Sequence, residues 1–285
     1  MLTRRYHWAM TSSAIGLLRA SHPGPSFAVS AVCATLAVGV GLEWWRCVLV
    51  AIAMLAGQFS VGISNDWIDA DRDRAVGRSD KPIATGEVSA ALARNAAVGL
   101  VVLGLALTLP LGWAATAVHA AFIGAGWAYN AGVKNTAVSV VPYLSFGLLP
   151  LFVTTALPSP TLAAPWAIGA GAALGVAAHF ANVLPDIDDD RATGVRGLPH
   201  RLGLKISGLV IALSLVLAPY FVVLAPGGTP NTLAVVGLAL SAILAVACAA
   251  ITIAGRATRL VFRLIILAAA INAILLISAA QRFVA

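Results

Sequence analysis

The sequence NDWIDADRDRAVGRSDKP occupies residues 65–82 and contains five Asp and four Lys or Arg. Charges are rare elsewhere, because only 10% of the 285 residues are charged and 60% are apolar. A soluble domain usually has about 25% charged residues. This chain has too few charges to cover a water-exposed surface of its size. The composition therefore predicts an integral membrane protein in which residues 65–82 form an unusual polar segment.

A second acidic cluster repeats the first one 117 residues later. With that offset Asn65 matches Asn182, and eight further positions up to Gly86 are identical without a gap. The runs 65–73 and 182–190 contain eight of the eleven Asp and Glu residues. Both copies read N-x-x-x-D-x-x-x-D, and residues at i, i+4 and i+8 share one face of a helix. The pattern predicts a parallel internal repeat with two acidic stripes, although Pro185 should kink the second helix.

The apolar runs predict an all-α integral membrane protein. A spanning helix needs about 20 apolar residues. Nine candidates satisfy this approximately: 26–42, 45–64, 91–111, 113–130, 138–157, 163–182, 204–225, 231–254 and 260–281. We expect a bundle of nine transmembrane helices that forms a single domain over residues 1–285. Residues 1–25 are expected to be a cytoplasmic or interfacial lead-in.

The distribution of Lys and Arg predicts the orientation of this bundle. With the N-terminus in the cytoplasm, the outside segments contain only Arg46 and Arg282. Such an excess of positive residues inside is typical of membrane proteins. Both acidic motifs then lie on the cytoplasmic side. The net charge of +7 reflects this asymmetry and does not indicate a nucleic-acid partner. The high Ala, Val and Leu content suggests a bacterial inner membrane.

The acidic stripes predict a divalent metal site. Two facing rows of carboxylates repel each other, and oxygen ligands without Cys or His suit Mg²⁺. Mg²⁺ typically binds one or two carboxylates, waters and substrate phosphate. Arg78, Lys81 and Lys134 could hold the remaining phosphate charge. A solvated loop of mixed charge is the alternative, but matched spacing in two copies argues against it.

Taken together, these motifs resemble the UbiA superfamily of intramembrane prenyltransferases. NDWIDADRD (65–73) is similar to the first Asp-rich motif of the family, and NVLPDIDDD (182–190) to the second. RSDKPIATG and GVRGLPHRLG are similar to the tails that follow the two motifs. KNTAVSVVPYLSFGLLP (134–150) is similar to the fifth transmembrane helix of the family. The resemblance implies nine transmembrane helices, with the motifs after helices 2 and 6.

The resemblance also implies a role for individual residues. Two Mg²⁺ carrying a prenyl diphosphate would be bound by Asn65, Asp69, Asp73, Asn182, Asp186 and Asp190. The diphosphate would contact Arg78, Lys81, Lys134 and Tyr129, although the family often places a Tyr one residue later, where Asn130 stands. Arg19 and His22 would contact the acceptor, and Asp66 or Asp69 would be the catalytic base. The candidate cavity walls are Trp67, Trp113, Trp127, Tyr129, Tyr143 and Phe146.

The function implied is Mg²⁺-dependent transfer of a polyprenyl group from an allylic diphosphate to an aromatic or quinone-precursor acceptor. Three alternatives within the superfamily share these motifs: transfer of phosphoribose to a polyprenyl phosphate, prenylation of a glyceryl phosphate, and cyclisation without an acceptor. A transporter or Mg²⁺ channel is a further alternative, but transport sites usually lie near the membrane midplane. No predicted helix has an acid in its middle. The sequence leaves open the prenyl chain length, the acceptor and the oligomeric state.

Overall fold

The computed structural model describes residues 13–184, 194–224, 229–254 and 259–284. Within these ranges the chain is all-helical, without strands. Residues 13–20 form a first helical segment. The longer elements are α1 (Pro23–Val40), α2 (Trp44–Ile68), α3 (Ala70–Ala75), α4 (Ala90–Thr108), α5 (Trp113–Asn130), α6 (Leu148–Thr155), α7 (Pro165–Val183), α8 (Leu198–Leu224), α9 (Thr232–Ile253) and α10 (Arg259–Ser278). Short 3₁₀ helices lie at Leu109–Leu111, Val133–Asn135, Val141–Gly147 and Ala280–Arg282.

Six of the described helices are long and apolar enough to cross a membrane. They are α1, α2, α4 with its 3₁₀ extension, α7, α8 and α9. The chain is therefore an integral membrane protein of the all-α class. The predicted span 138–157 is not one continuous helix, because its first part is the 3₁₀ helix Val141–Gly147 and only the second part is α6. The number of nine spans stays a prediction.

The helices pack against their neighbours in the chain, and the bundle closes where α10 contacts α1. The largest apolar core joins the two ends of the chain, since Cys33 and Leu36 of α1 lie in one cluster with Leu275 and Phe283. α7 and α8 also contribute to a second apolar core, which they share with α9 and α10. This closed arrangement leaves an interior space between α1, α2, α5 and α7.

The first acidic motif continues the helical path of α2. α2 extends to Ile68, four residues beyond the predicted end. The backbone N–H of Asp69 donates to the carbonyl of Asn65 at 3.0 Å, and that of Asp73 donates to Asp69 at 2.8 Å. These i to i−4 bonds carry the helix through the junction with α3. Asn65, Asp69 and Asp73 consequently stay on one face, as their spacing predicts.

Two glycines of α7 allow a close approach by the 3₁₀ segment Val141–Gly147. A Cβ at Gly171 would meet the carbonyl oxygen of Phe146, and one at Gly175 would meet that of Tyr143. Small residues at helix contacts let backbones approach closely in membrane proteins. The approach determines where the side chains of Tyr143 and Phe146 lie.

The second acidic motif begins at the end of α7. Asn182 lies in the last turn of α7, which ends at Val183. Asp186, Asp188, Asp189 and Asp190 lie outside the described residues, as does the predicted kink at Pro185. The chain is described again from Gly194, and the helical path of α8 is interrupted at Gly203, where φ is 75°. The regular part of α8 therefore begins where the sequence predicts a span, at residue 204.

Candidate active site

A cavity of about 560 Å³ opens among α1, α2, α5, α7 and the segment Val141–Gly147. Its lining residues on α2 run from Gln58 to the end of the first motif. At 1.5 Å rise per residue, the eleven steps from Gln58 to Asp69 span roughly 16 Å. Asp69 and Lys134 line the cavity near the motif, whereas Phe122 and Val29 line it farther along the helices. The cavity therefore has a polar end and a largely apolar end.

Four of the six predicted metal ligands line the polar end: Asn65, Asp69, Asp73 and Asn182. The other two, Asp186 and Asp190, lie outside the described residues. Within the described ranges, no cluster of three or more His, Cys, Asp and Glu side chains has the arrangement of a metal site. The two carboxylates and two amides supply oxygen donors alone, and such a donor set fits Mg²⁺.

The carboxylate of Asp73 lies in an environment that opposes its charge. Burial raises its pKa, and the neighbouring charges of Asp69 and Asp66 raise it further, while Lys81 and Arg72 act in the opposite direction. Burial and like charges both disfavour an ionised carboxylate. A bound cation would relieve this cost, so the electrostatics of Asp73 also fit a divalent metal.

Asp69 is held by two cations. Its Oδ2 accepts hydrogen bonds from Lys134 Nζ at 2.5 Å and from Arg72 at 3.0 Å. Burial lowers the pKa of Lys134, and the adjacent Asp69 charge raises it in part. Lys134 Nζ also lies 3.4 Å from the amide oxygen of Asn65. Lys134 is thus placed directly beside the predicted metal ligands.

All four residues predicted to contact a diphosphate line this cavity: Arg78, Lys81, Lys134 and Tyr129. Arg78 also donates two hydrogen bonds of 2.9 Å to Asp80. These bonds hold the pKa of Asp80 well below its usual range. Lys81 donates to Asp66 Oδ1 at 2.6 Å. The site therefore places several cations around its acidic ligands, as anion binding requires.

The two residues predicted to contact an acceptor differ in position. His22 lines the cavity, whereas Arg19 is not among the lining residues. Arg19 instead donates to Glu87 at 3.0 Å and to the carbonyl of Asp80 at 3.1 Å. It ties the first helical segment to the loop that contains Lys81.

The predicted catalytic base Asp66 lies behind the cavity. It is 2% exposed and is absent from the lining. Its Oδ1 accepts hydrogen bonds from Lys81 and from His22 Nε2, the latter at 2.8 Å. Asn65, which also lines the cavity, donates a longer hydrogen bond of 3.4 Å to the same oxygen. Among the described residues, Asp66 therefore contacts the cavity through these three neighbours.

Three of the six aromatic wall candidates line the cavity: Tyr129, Tyr143 and Phe146. The rings of Tyr129 and Tyr143 lie edge to face at 5.2 Å, and Tyr143 stacks on Phe146 at 6.2 Å. The Trp candidates lie elsewhere. Trp67 and Trp127 pack against each other, and Trp113 is 83% exposed at the start of α5. Such an exposed Trp is typical of a membrane interface.

Several polar lining residues were missed by the sequence reasoning: Gln58, Arg72, His179 and His200. The spacing of His179 contained a usable signal, because it precedes Asn182 by three residues and shares its helical face. His179 Nε2 forms a hydrogen bond of 3.0 Å with the hydroxyl of Ser139. The spacing of Arg72 contained a similar signal, because it follows Asp69 by three residues and donates to it at 3.0 Å.

The model of the UbiA prenyltransferase family matches residues 26–267, which is most of the chain. The chain belongs to the UbiA prenyltransferase family. The resemblance inferred from the two motifs is confirmed, and the UbiA assignment covers both halves of the repeat.

Two curated relatives of this UbiA protein are digeranylgeranylglyceryl phosphate synthases from archaea. That of Korarchaeum cryptofilum is 28% identical over 169 residues, and that of Natronomonas pharaonis 32% identical over 169 residues. These matches cover 59% and 57% of this chain, and 58% and 60% of the relatives, respectively. The chain thus spans less than two thirds of the curated relatives' length. Because both relatives are archaeal, the bacterial inner membrane stays a prediction.

Solved structures of UbiA proteins share the fold. A UbiA homologue from Archaeoglobus fulgidus, described as bound to GPP and Mg²⁺, has a TM-score of 0.66 at 18% identity and covers 93% of this chain and 99% of its own. A homologue from Aeropyrum pernix has a TM-score of 0.65 at 21% identity, with coverage of 86% and 94%. At these identities the likeness establishes the architecture.

Proposed function

We propose that this protein transfers a prenyl group from an allylic prenyl diphosphate to a lipophilic acceptor within the membrane, releasing diphosphate. The division of the cavity into a polar and an apolar end carries this proposal. The donor has the same division, with a strongly anionic head and an apolar tail. Membership in the UbiA family supports the same reaction class.

The residues of the polar end would hold two Mg²⁺ ions. Asn65, Asp69, Asp73 and Asn182 supply oxygen donors there, and Asp186 and Asp190 of the second motif would complete the set. When bound, Mg²⁺ supplies positive charge that stabilises the leaving diphosphate oxygens. The A. fulgidus homologue bound to GPP and Mg²⁺ supports this assignment.

The chain's own residues have three tasks in this reaction. Arg78, Lys81 and Lys134 would donate hydrogen bonds to the diphosphate as negative charge grows on its oxygens. The apolar end, with Phe122 at 5% exposure, would exclude water from the allylic carbocation. The stacked rings of Tyr143 and Phe146 would present aromatic faces to that cation.

Two acceptor classes remain in consideration. The first is the predicted aromatic or quinone precursor. The second is a prenylated glyceryl phosphate, which the names of the two curated relatives favour. Both acceptors combine a polar head with an attacking oxygen or an electron-rich ring, and both would enter beside His22 at the polar end.

The orientation is part of the proposal. We infer that the N-terminus and both acidic motifs lie on the cytoplasmic side, because the predicted outside segments contain only two Arg residues. Exposed Trp44 and Trp113, 78% and 83% exposed, begin helices at the opposite end of the bundle. An interfacial aromatic belt at that end agrees with this placement.

The experiment incubates purified protein with Mg²⁺ and prenyl diphosphates of increasing length. Each donor is tested alone and with 4-hydroxybenzoate, dihydroxynaphthoate, homogentisate or a geranylgeranylated glyceryl phosphate, and pyrophosphate release and lipid products are measured. Release that requires one acceptor supports the proposal and names the acceptor class. Release without any acceptor would replace it with cyclisation, and no release with any pair would contradict prenyl transfer.

A further inference from the structure

His22 has an unusual backbone at the edge of the cavity. Among the described residues it is the one non-glycine with positive φ, at φ 50° and ψ 62°. It immediately precedes Pro23, and a residue before proline is normally driven to extended conformations. Such strained backbones persist where the surrounding structure holds them, and they are frequent at functional sites. The strained backbone therefore marks His22 as a candidate functional residue.

The His22 ring contacts Asp66 and Lys81 through the same nitrogen, Nε2, which lies 3.4 Å from Lys81 Nζ. Its Nε2 lies 2.8 Å from Asp66 Oδ1, which also accepts from Lys81 Nζ at 2.6 Å. An ionised carboxylate is only an acceptor, so His22 must carry its proton on Nε2 and donate it to Asp66. In the neutral ring, Nδ1 is then left with a free lone pair. A carboxylate that fixes a histidine in this way prepares it to accept a proton.

The two members of this pair differ in access. The His22 side chain is 40% exposed and lines the cavity, whereas that of Asp66 is 1% exposed. The lining carboxylates of the described residues, Asp69 and Asp73, belong to the proposed metal site. His22 is therefore the member of this pair that can reach an acceptor.

We propose that His22 is the general base of the transfer reaction and that Asp66 is its positioning residue. This role rests on the proposed function. The acceptor oxygen forms a bond to C1 of the prenyl group, and the bond from C1 to the diphosphate oxygen breaks. The diphosphate leaves with the bonding electron pair, and the acceptor proton moves to His22 Nδ1. For an acceptor that attacks through a ring carbon, the proton leaves that carbon instead.

After transfer, the imidazolium is balanced by the Asp66 carboxylate on Nε2. Because its side chain is partly exposed, His22 can release the proton to water and return to its starting state. The same arrangement explains why Asp66 is buried next to Lys81, since the ammonium group balances its charge in the resting site.

Two substitutions test the base while respecting the left-handed backbone. Asn tolerates positive φ but cannot accept the proton, and Gly adopts positive φ freely while leaving space beside Asp66. We expect His22→Asn to lower the rate of transfer by about 10²- to 10⁴-fold. Binding of a prenyl thiolodiphosphate, a slowly reacting donor analogue, should stay within about twofold. Added imidazole should restore at least about tenfold in His22→Gly and leave wild type unchanged.

The positioning role of Asp66 has its own readout. Asp66→Asn should lower kcat by about tenfold or more with little change in the KM of the donor, since it weakens control of the tautomer. It should also reduce the imidazole rescue of His22→Gly in the double variant. A purely structural role for Asp66 would leave that rescue intact.

The outcomes separate this role from the proposed function. If wild type is active and His22→Asn keeps a near-normal kcat, His22 is not the general base, and the proposed prenyl transfer is unaffected. A folded His22→Gly variant that imidazole does not rescue also overturns the role of His22 as base. The same holds if His22→Asn loses binding of the donor analogue by as large a factor as it loses rate. A wild-type protein that transfers prenyl groups to no acceptor overturns the proposed function and this role together.

Discussion

Lys134 and Asp69 form a buried ion pair, with Nζ 2.5 Å from Oδ2 and both side chains 9% exposed. The two residues are 65 positions apart. Asp69 lies at the end of α2, and Lys134 lies in the 3₁₀ turn that follows α5. The pair therefore connects the first acidic motif to the opposite wall of the cavity.

Removal of one partner of this pair should destabilise the protein. Among the described residues, Lys134→Met leaves Arg72 as the one cation paired with Asp69. Breaking a buried pair costs about 3 kcal/mol or more. The double variant with Asp69→Asn should regain part of that loss, because it removes the uncompensated carboxylate. Thermal unfolding in detergent measures both variants. Additive losses in the double variant would show that the two side chains do not interact.

The acidic motif offers a matched pair of substitutions for activity. Asp69→Asn should lower turnover by roughly 10²-fold or more, since it weakens a metal ligand at the leaving group. Asp71→Asn should stay within about twofold, because that side chain is 98% exposed and pairs with Arg74. Initial rates of pyrophosphate release compare the two proteins. Equal losses in both would contradict the assignment of separate roles within the motif. By the internal repeat, Asp186→Ala should behave like Asp69→Asn.

Metal removal should stop the reaction reversibly. Chelation by EDTA is expected to abolish product formation, and added Mg²⁺ should restore it, since the cavity supplies oxygen donors for divalent ions. Mg²⁺ with a donor analogue should also raise the unfolding temperature, because a ligand bound only to the folded state stabilises it. Activity that survives thorough chelation would rule out the metal site.

The apolar end of the cavity should influence donor length. Phe122 lines it and lies 6.0 Å from the ring of Phe146. Phe122→Leu should move the preference toward donors one isoprene unit longer, by about fivefold in kcat/KM ratio, because it opens space for the tail. Phe27→Leu is the control, since Phe27 is 53% exposed and does not line the cavity. An unchanged ratio in Phe122→Leu would place the tail elsewhere.

Gly62 should be intolerant of a side chain. A Cβ there would collide with the backbone carbonyl of Ser21, next to His22. Gly62→Ala should cost about 1–3 kcal/mol through overpacking and should lower activity by moving His22. Gly99→Ala is the matched control, because a Cβ at Gly99 meets nothing within 4 Å and Ala favours a helix. Unfolding temperatures and turnover that are the same for both variants would refute the close contact.

Much of the architecture could be predicted from local sequence, but the interruption of the helix predicted over 138–157 could not. The predicted ends of the spans agree with α1, α5, α7 and α9 to within a few residues, because long apolar runs need the membrane interior. The segment 138–157 was expected to be one helix, yet its first half is 3₁₀ where it approaches Gly171 and Gly175. That geometry depends on the neighbouring helix, which an apolar run does not specify.

The candidate site likewise has features that local sequence predicts and features that it does not. The N-x-x-x-D-x-x-x-D repeat predicted that Asn65, Asp69 and Asp73 share a face, since helical spacing is a local property. Trp113 was considered for the cavity wall but lies 83% exposed, because composition does not reveal which way a helix faces. The sequence also did not indicate that Asp66 is paired with His22 across 44 positions.

The membrane class and the approximate helix positions could be predicted from local sequence, because charges are costly to bury in a membrane and helical periodicity acts over a few residues. The family could be predicted from the resemblance of the two Asp-rich motifs. Tertiary structure alone decided which cation pairs with which acid: Lys134 with Asp69, and Lys81 and His22 with Asp66. Such choices depend on distances of a few ångströms between helices far apart in the chain, and only the packing of the whole bundle determines them.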